Sequence, residues 1–168
     1  MHSINIDQLL MNYRFDEQFS SINKLLQFIT RIDFKKINTT ESHITLQDNS
    51  TSEDGFVLKF SPTNNLNCGL SFEVAPIYDS LFIAFDNEKF VELMYAGADL
   101  ETSIDVIIQI LQSPIILTIE INHTGAIVNK AYTILNMKNQ VINYRIGNKT
   151  MFNINKLHSS EHKYQPWL

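Results

Sequence analysis

The sequence predicts an α+β domain with a mostly antiparallel sheet, an N-terminal helix or helix pair, two short central helices and a C-terminal β-meander. Three observations lead to this prediction. Apolar residues near the N-terminus recur at the three- and four-residue spacings of a helix, shorter stretches alternate between apolar and polar residues, and β-branched stretches separated by turn signals follow residue 114. Such a distribution of helical and strand patterns favours the α+β class.

The first third of the chain begins with a helical pattern. The spacing slips near Phe15-Asp16, where Asp16 and Glu17 resemble a new N-cap and an acidic first turn. One bent helix and two successive helices are therefore both open. We interpret Phe34 to Thr40 as a connection or a short strand. The apolar residues at helical spacing are Ile6, Leu9, Leu10, Tyr13, Phe19, Ile22, Leu25, Leu26 and Ile29.

Short strands are predicted in the middle of the chain. His43 to Gln47 alternates weakly, and a polar stretch that ends in Asp54-Gly55 forms a surface turn. The stretches that read more clearly as strands are Phe56 to Phe60, Leu70 to Ala75 and Leu81 to Phe85.

Two short helices should follow these strands. Asp86 can cap the first, and Gly97 is placed to end it. Asp99 or Thr102 can cap the second, Ser103 to Gln112, which Pro114 stops. The residues that would form the first helix are Glu88, Phe90, Val91, Leu93, Met94 and Tyr95.

The chain then forms a meander with turns at His123 to Gly125, at Asn136 to Asn139 and at Gly147-Asn148. We expect one domain over residues 1–157 and a C-terminal tail over residues 158–168. The tail has no period, and it either packs across the sheet through Trp167 and Leu168 or is mobile. The predicted strands are Ile115 to Asn122, Ala126 to Leu135, Gln140 to Ile146 and Lys149 to Ile154.

Composition favours a globular protein of the cytoplasm. The chain has 168 residues, of which 44% are hydrophobic and 18% are charged, and it contains 11 Phe, 6 Tyr and 1 Trp. Cys68 is the only cysteine, so no intramolecular disulfide can form and a reducing compartment fits. We find no signal-peptide pattern and no stretch long enough to span a membrane, and we expect no membrane partner.

The net charge of −5 is unevenly distributed along the chain. Residues 73–120 carry nine acidic residues and only Lys89, whereas residues 121–168 carry Glu161 against six basic residues. Such asymmetry bears on partners and on association rates rather than on the fold. The overall balance opposes nucleic-acid binding, and we interpret the C-terminal cations as a solvated face.

Catalytic and metal-binding patterns are weak. Cys68 could pair with a histidine, but a lone cysteine is more often a small buried apolar residue. His158-Ser-Ser-Glu161-His162 places two histidines four residues apart without a helical context, so we expect a solvated tail rather than a zinc site. Glycine-rich phosphate loops and a nucleophile elbow are absent from the sequence, and we expect no catalytic residue, metal or cofactor.

An acidic face without a catalytic set favours a non-enzymatic protein-binding domain. We expect an inhibitor, such as a bacterial immunity protein that neutralises a toxin, and a basic protein as the partner. The bacterial source rests on the short Asn- and Ile-rich chain alone. A small enzyme with a cryptic pocket and an adaptor subunit are the alternatives. The predicted partner-binding residues are Asp79, Glu88, Glu92, Asp99, Glu101 and Asp105.

Overall fold

A computed structural model describes residues 2–5, 20–46, 55–75, 80–94, 99–137, 140–145 and 158–168. These residues form an α+β fold with two α-helices and two antiparallel sheets, which confirms the predicted class. The helices are α1 (Ser20–Ile29) and α2 (Leu100–Leu111). The strands are β1 (His2–Asn5), β2 (His43–Leu46), β3 (Phe56–Phe60), β4 (Leu70–Ala75), β5 (Ser80–Phe85), β6 (Val91–Met94), β7 (Ile115–Ile121), β8 (Ile127–Ile134), β9 (Gln140–Arg145) and β10 (His158–Tyr164).

The first sheet has the order β1-β2-β3-β4-β5-β6, with every neighbouring pair antiparallel. In β3 and β4, buried residues alternate with half-buried ones, so one face of the sheet packs against the core. Phe56, Leu58 and Phe60 are buried on β3 while the residues between them are half-buried, and β4 repeats this pattern. Burying one face of each strand also fixes the register, because a slip by one residue would turn the apolar side chains outward.

The second sheet has the order β10-β7-β8-β9, again antiparallel throughout. Strands β7, β8 and β9 are three of the four strands predicted for the meander, and the fourth, Lys149 to Ile154, lies outside the described residues. The turn predicted between β7 and β8 is confirmed. Asn122 Oδ1 accepts hydrogen bonds from the backbone N–H groups of Thr124 and Ala126, and Gly125 adopts a φ of 83° that side chains rarely allow.

Helix α2 begins three residues before the predicted stretch Ser103 to Gln112, because Asp99 rather than Thr102 is its cap. Asp99 is the N-cap, with its carboxylate accepting a hydrogen bond from Thr102 N at 2.7 Å, and Pro114 follows the C-cap Gln112 by two residues. Four apolar side chains of α2 are buried at helical spacing, and α2 packs against α1 and β4. The buried apolar residues of α2 are Ile104, Ile107, Ile110 and Leu111.

One hydrophobic core joins both helices and both sheets. The rings of Phe85 on β5 and Tyr132 on β8 stack with centroids 4.5 Å apart, which brings the end of the first sheet onto the second. No helix in the described ranges is both long and apolar enough to cross a membrane.

The predicted helix capped by Asp86 is wrong, because Val91–Met94 is a strand that pairs with β5. Asp86 and Asn87 have φ values of 44° and 66°, and Glu88 N donates to Phe85 O at 2.7 Å. This is a type I′ turn, whose twist suits a hairpin, whereas an N-cap needs an extended backbone. Tyr95 and Gly97, which were predicted to finish the helix, lie outside the described residues.

The C-terminal segment is ordered in the fold. His158–Tyr164 pairs with β7 at the edge of the second sheet, although six of its seven residues are exposed and give no apolar period. Trp167 is 1% exposed in the core, whereas Leu168 is 47% exposed. Of the two alternatives considered for this tail, packing through Trp167 is confirmed, and Leu168 takes no part in it.

Candidate functional site

The Asp86 carboxylate is the point at which the two sheets are joined by polar contacts. Its Oδ1 atom accepts a hydrogen bond from Gly69 N at 2.8 Å. Its Oδ2 atom accepts from the hydroxyl groups of Tyr164 on β10, at 2.9 Å, and Tyr132 on β8, at 3.2 Å. Cys68 Sγ lies 3.6 Å from the same oxygen and donates weakly to it. We call these five residues the Asp86 junction.

Gly69 lies close to the carboxylate of this junction. A Cβ atom at position 69 would lie 3.1 Å from Asp86 Oδ1, which is a tight contact for a Cβ atom. The same carboxylate oxygen accepts a hydrogen bond from the Gly69 N–H group. A larger residue would therefore require the carboxylate to shift by a few tenths of an ångström.

The junction keeps the thiol of Cys68 and the hydroxyl groups of Tyr132 and Tyr164 protonated. Burial is the main cause that raises the pKa of the Cys68 thiol, and the negative charge of Asp86 adds to it. Burial, followed by the charge of Asp86, likewise raises the pKa values of Tyr132 and Tyr164. Nearby, burial raises the pKa of Tyr144 to about 12. A thiol held in its neutral form is a poor nucleophile, so these contacts suit a structural role for Cys68.

Alkaline pH should therefore destabilise the protein in a specific window. An unfolded tyrosine ionises near pH 10, while Tyr144 in the folded protein has a pKa of about 12. Between these two pKa values the folded protein retains the Tyr144 proton that the unfolded chain loses. The contribution of Tyr144 to stability is therefore complete below about pH 10 and is lost as the pH rises through the pKa of Tyr144 in the folded protein. Phenolate absorbance and urea unfolding, both measured against pH, check this expectation.

The opposite outcome would also be visible in the absorbance titration. If all six tyrosines titrated together near pH 10 while circular dichroism remained native, the hydroxyl groups of Tyr132, Tyr144 and Tyr164 would be exposed and the junction would be absent.

An ion pair lies close to the junction and crosses between the same elements. Lys130 Nζ on β8 contacts Glu88 Oε1, beyond the β5–β6 turn, at 2.5 Å, and the two side chains are only 24% and 22% exposed. Glu88 belongs to the predicted acidic face and Lys130 to the cations interpreted as a solvated face. The structure instead pairs their charges with each other.

Breaking this pair should cost more than losing an exposed one. Lys130→Met removes the cation and leaves Glu88 half-buried without compensation, so we expect a loss of about 1–2 kcal/mol, between the values for exposed and buried pairs. Urea unfolding measures this loss of stability. The matched control is Lys163→Met, which changes an exposed residue on β10. Adding Glu88→Gln to Lys130→Met should recover part of the loss. Equal losses for the two lysine variants would contradict a paired Glu88.

The predicted partner-binding residues lie on different elements. Glu88 follows the β5–β6 turn, and Glu92 is exposed on β6, where Ser80 Oγ donates to its carboxylate at 2.7 Å. Asp99, Glu101 and Asp105 lie at the start of α2 and along its exposed side. Asp79 lies outside the described residues.

Lys24 on α1 places a cation beside the acidic residues of α2. Lys24 on α1 donates to Asp105 Oδ1 at 2.6 Å, and this hydrogen bond is the main cause that raises the pKa of Lys24. The charges of Asp105 and Glu101 act on Lys24 in the same direction. The hydrogen bond from Thr102 N lowers the pKa of Asp99, so Asp99 is ionised over the whole physiological range. We call Asp99, Glu101 and Asp105 the α2 acidic surface.

Histidine and cysteine form no evident metal site. His158 and His162 lie on an exposed strand rather than on a helix, and His162 Nε2 contacts Asn65 O at 3.0 Å. Cys68 is 1% exposed. Among the described residues, no three His, Cys, Asp or Glu side chains come together in a way that could hold a metal ion.

No protein-family model, curated protein or solved structure matches this chain. The geometry and charges of the described residues are therefore the basis for assigning a function.

Proposed function

We propose that this chain is a non-enzymatic protein-binding domain that acts in the bacterial cytoplasm as an inhibitor of a basic protein, in the manner of an immunity protein that neutralises a toxin. The observation that carries the proposal is the α2 acidic surface. Glu101 and Asp105 lie one helical turn apart on the exposed side of α2, with Asp99 at its N-terminal end.

The charge of this surface is largely uncompensated. Lys24 pairs with Asp105, but both side chains are about half exposed, so water and salt screen the pair. Among the described residues, Lys24 is the one cation paired with the three carboxylates of the surface, which therefore keep a net negative charge. A partner with a complementary basic patch would be attracted at long range and oriented before contact.

The other predicted residues support the proposal less. The charge of Glu88 is offset by Lys130, and Glu92 lies on β6 rather than on α2. We therefore place the centre of the proposed interface on α2. A lone, buried cysteine is compatible with the proposed reducing compartment.

Affinity capture from bacterial lysate, followed by mass spectrometry, tests the proposal. The wild-type chain should enrich a basic protein at low salt, and the variant Glu101→Gln/Asp105→Asn should lose it because both surface charges are removed. The matched control is Glu73→Gln/Glu161→Gln, which changes the net charge equally on β4 and β10 and should retain the partner.

An inhibitory role also predicts that the captured partner is harmful to the cell. Expressed alone, the partner should slow growth, and coexpression of the wild-type chain should restore it. An acidic or neutral partner, equal capture by the two double variants, or a harmless partner would each contradict the proposal.

A further inference from the structure

A pocket of about 200 Å³ lies at one end of the first sheet. Lys59 on β3 and Ser71 on β4 are cross-strand neighbours on the face opposite the buried Phe60 and Leu70. The β5–β6 turn forms another wall. The polar residues that line the pocket are Glu41, Lys59, Ser61, Ser71, Asp86 and Asn87.

Both signs of charge line this pocket. Lys59 supplies an ammonium group, and the part of the chain that the structure describes gives it no ion pair within 4.0 Å. Glu41 and Asp86 supply carboxylates. A ligand with a single charge would therefore meet an attractive group and a repulsive group in the same small space.

The Asp86 carboxylate is held in place before any ligand arrives. Its Oδ2 atom is occupied by Tyr132, Tyr164 and Cys68, while Gly69 N is the one donor to its Oδ1 atom among the described residues. A carboxylate oxygen has two lone-pair sites, so Oδ1 retains one acceptor position. A group that is fixed in advance loses little conformational entropy when it binds a ligand.

The volume limits the size of the ligand. Pockets for drug-sized molecules and cofactors measure about 300–1,000 Å³, so 200 Å³ is too small for a nucleotide. It is sufficient for a molecule with the size of an amino acid. Strands β3 and β5 are separated by β4, so their backbones lie about 10 Å apart. Because Lys59 lies on β3 and Asp86 follows β5, their opposite charges lie on different sides of the pocket.

We propose that this pocket binds a small zwitterion of amino-acid size, with its carboxylate on Lys59 and its ammonium group on Asp86. Asn87 and Ser71 can accept or donate further hydrogen bonds to the same ligand. This site is independent of the α2 acidic surface, since the two lie on different elements of the fold.

Isothermal titration of the full chain tests the proposal with glycine, 4-aminobutyrate and 6-aminohexanoate, which differ in the distance between their two charges. At least one should bind with a Kd in the millimolar range or below, whereas acetate and methylammonium, with one charge each, should bind about tenfold more weakly. If none of the three zwitterions binds, or if the single-charge probes bind equally well, the proposal is overturned.

Variants assign the binding to this pocket. Lys59→Met should weaken the best zwitterion by about tenfold, whereas Glu41→Gln should not weaken it, because Glu41 precedes β2 and lies on the far side of Lys59 from Asp86. Their matched controls, Lys163→Met and Glu161→Gln, change exposed residues on β10 and should leave the Kd within about twofold. Circular dichroism confirms that each variant is folded, and Asp86 is left unchanged because it supports the junction. Equal affinity in Lys59→Met and Lys163→Met, or a loss of about tenfold in Glu41→Gln, would contradict this arrangement of the ligand and overturn the proposal.

Discussion

Trp167→Ala should destabilise the protein by about 3–5 kcal/mol, the usual range for removing a large buried aromatic side chain. The indole is 1% exposed, its ring centroid lies 5.3 Å from that of Phe60, and its Nε1 atom donates to Cys68 O at 3.2 Å. Alanine would leave a cavity and remove the donor to Cys68 O. Urea unfolding monitored by circular dichroism measures the loss.

Leu168→Ala is the control for this substitution, because Leu168 is the next residue and is 47% exposed. Its cost should stay within about 0.5 kcal/mol. If Trp167→Ala does not fold, Trp167→Phe provides a milder change that should still cost more than Leu168→Ala. Equal costs at the two positions would mean that the C-terminal segment is not docked in the core.

Asp86→Ala should have the second largest effect, about 2–3 kcal/mol, because it leaves the buried hydroxyl of Tyr132 without its acceptor. It also places an alanine at a φ of 44°, which asparagine tolerates better. Asp86→Asn should therefore cost less, since it keeps one oxygen acceptor and tolerates this backbone. Urea unfolding of the two variants gives the comparison.

A double-mutant cycle isolates the contact between the two sheets. Tyr132→Phe should cost about 1 kcal/mol in the wild-type protein and much less when Asp86→Ala is already present, since the hydrogen bond is then gone. The two losses should therefore not add. Strict additivity would show that Asp86 and Tyr132 do not interact and would contradict the junction.

The sequence was sufficient where local signals and burial agree. Asp99 and Pro114 bound helix α2 by capping and by excluding a further turn, and the structure confirms both. The strand-like stretch Phe56–Phe60 was correctly predicted as a strand, and the alternation in Leu70–Ala75 correctly predicted a strand with one buried face. Each of these patterns is local in the sequence, so no long-range contact was needed to interpret it.

The β5–β6 hairpin was misread because aspartate suits two different structures. Asp86 can cap a helix, but the pair Asp86-Asn87 also tolerates the left-handed backbone of a type I′ turn. The alternation of Val91 and Leu93 with polar Glu92 was the available signal for a strand. Strand β10 gave no such signal, because an exposed edge strand buries too little to need apolar alternation.

The candidate site depended on contacts that a single sequence does not display. Tyr132 and Tyr164 reach Asp86 across 46 and 78 residues of chain, and Lys130 reaches Glu88 across 42. Counting charges by segment assigned Glu88 and Lys130 to separate faces, although their side chains meet. The residues of the α2 acidic surface were easier to group from the sequence, because they lie within one helix and its capping turn.

The rate at which the chain associates with its captured basic partner tests the proposed interface most directly. Measured by stopped flow, the wild-type rate constant should fall steeply from low salt to about 1 M, where the Debye length is about 3 Å. The variant Glu101→Gln/Asp105→Asn should associate more slowly at low salt and depend less on salt, whereas Glu73→Gln/Glu161→Gln should follow the wild type. A rate constant that does not change with salt, or that is the same in both double variants, would contradict binding through the α2 acidic surface.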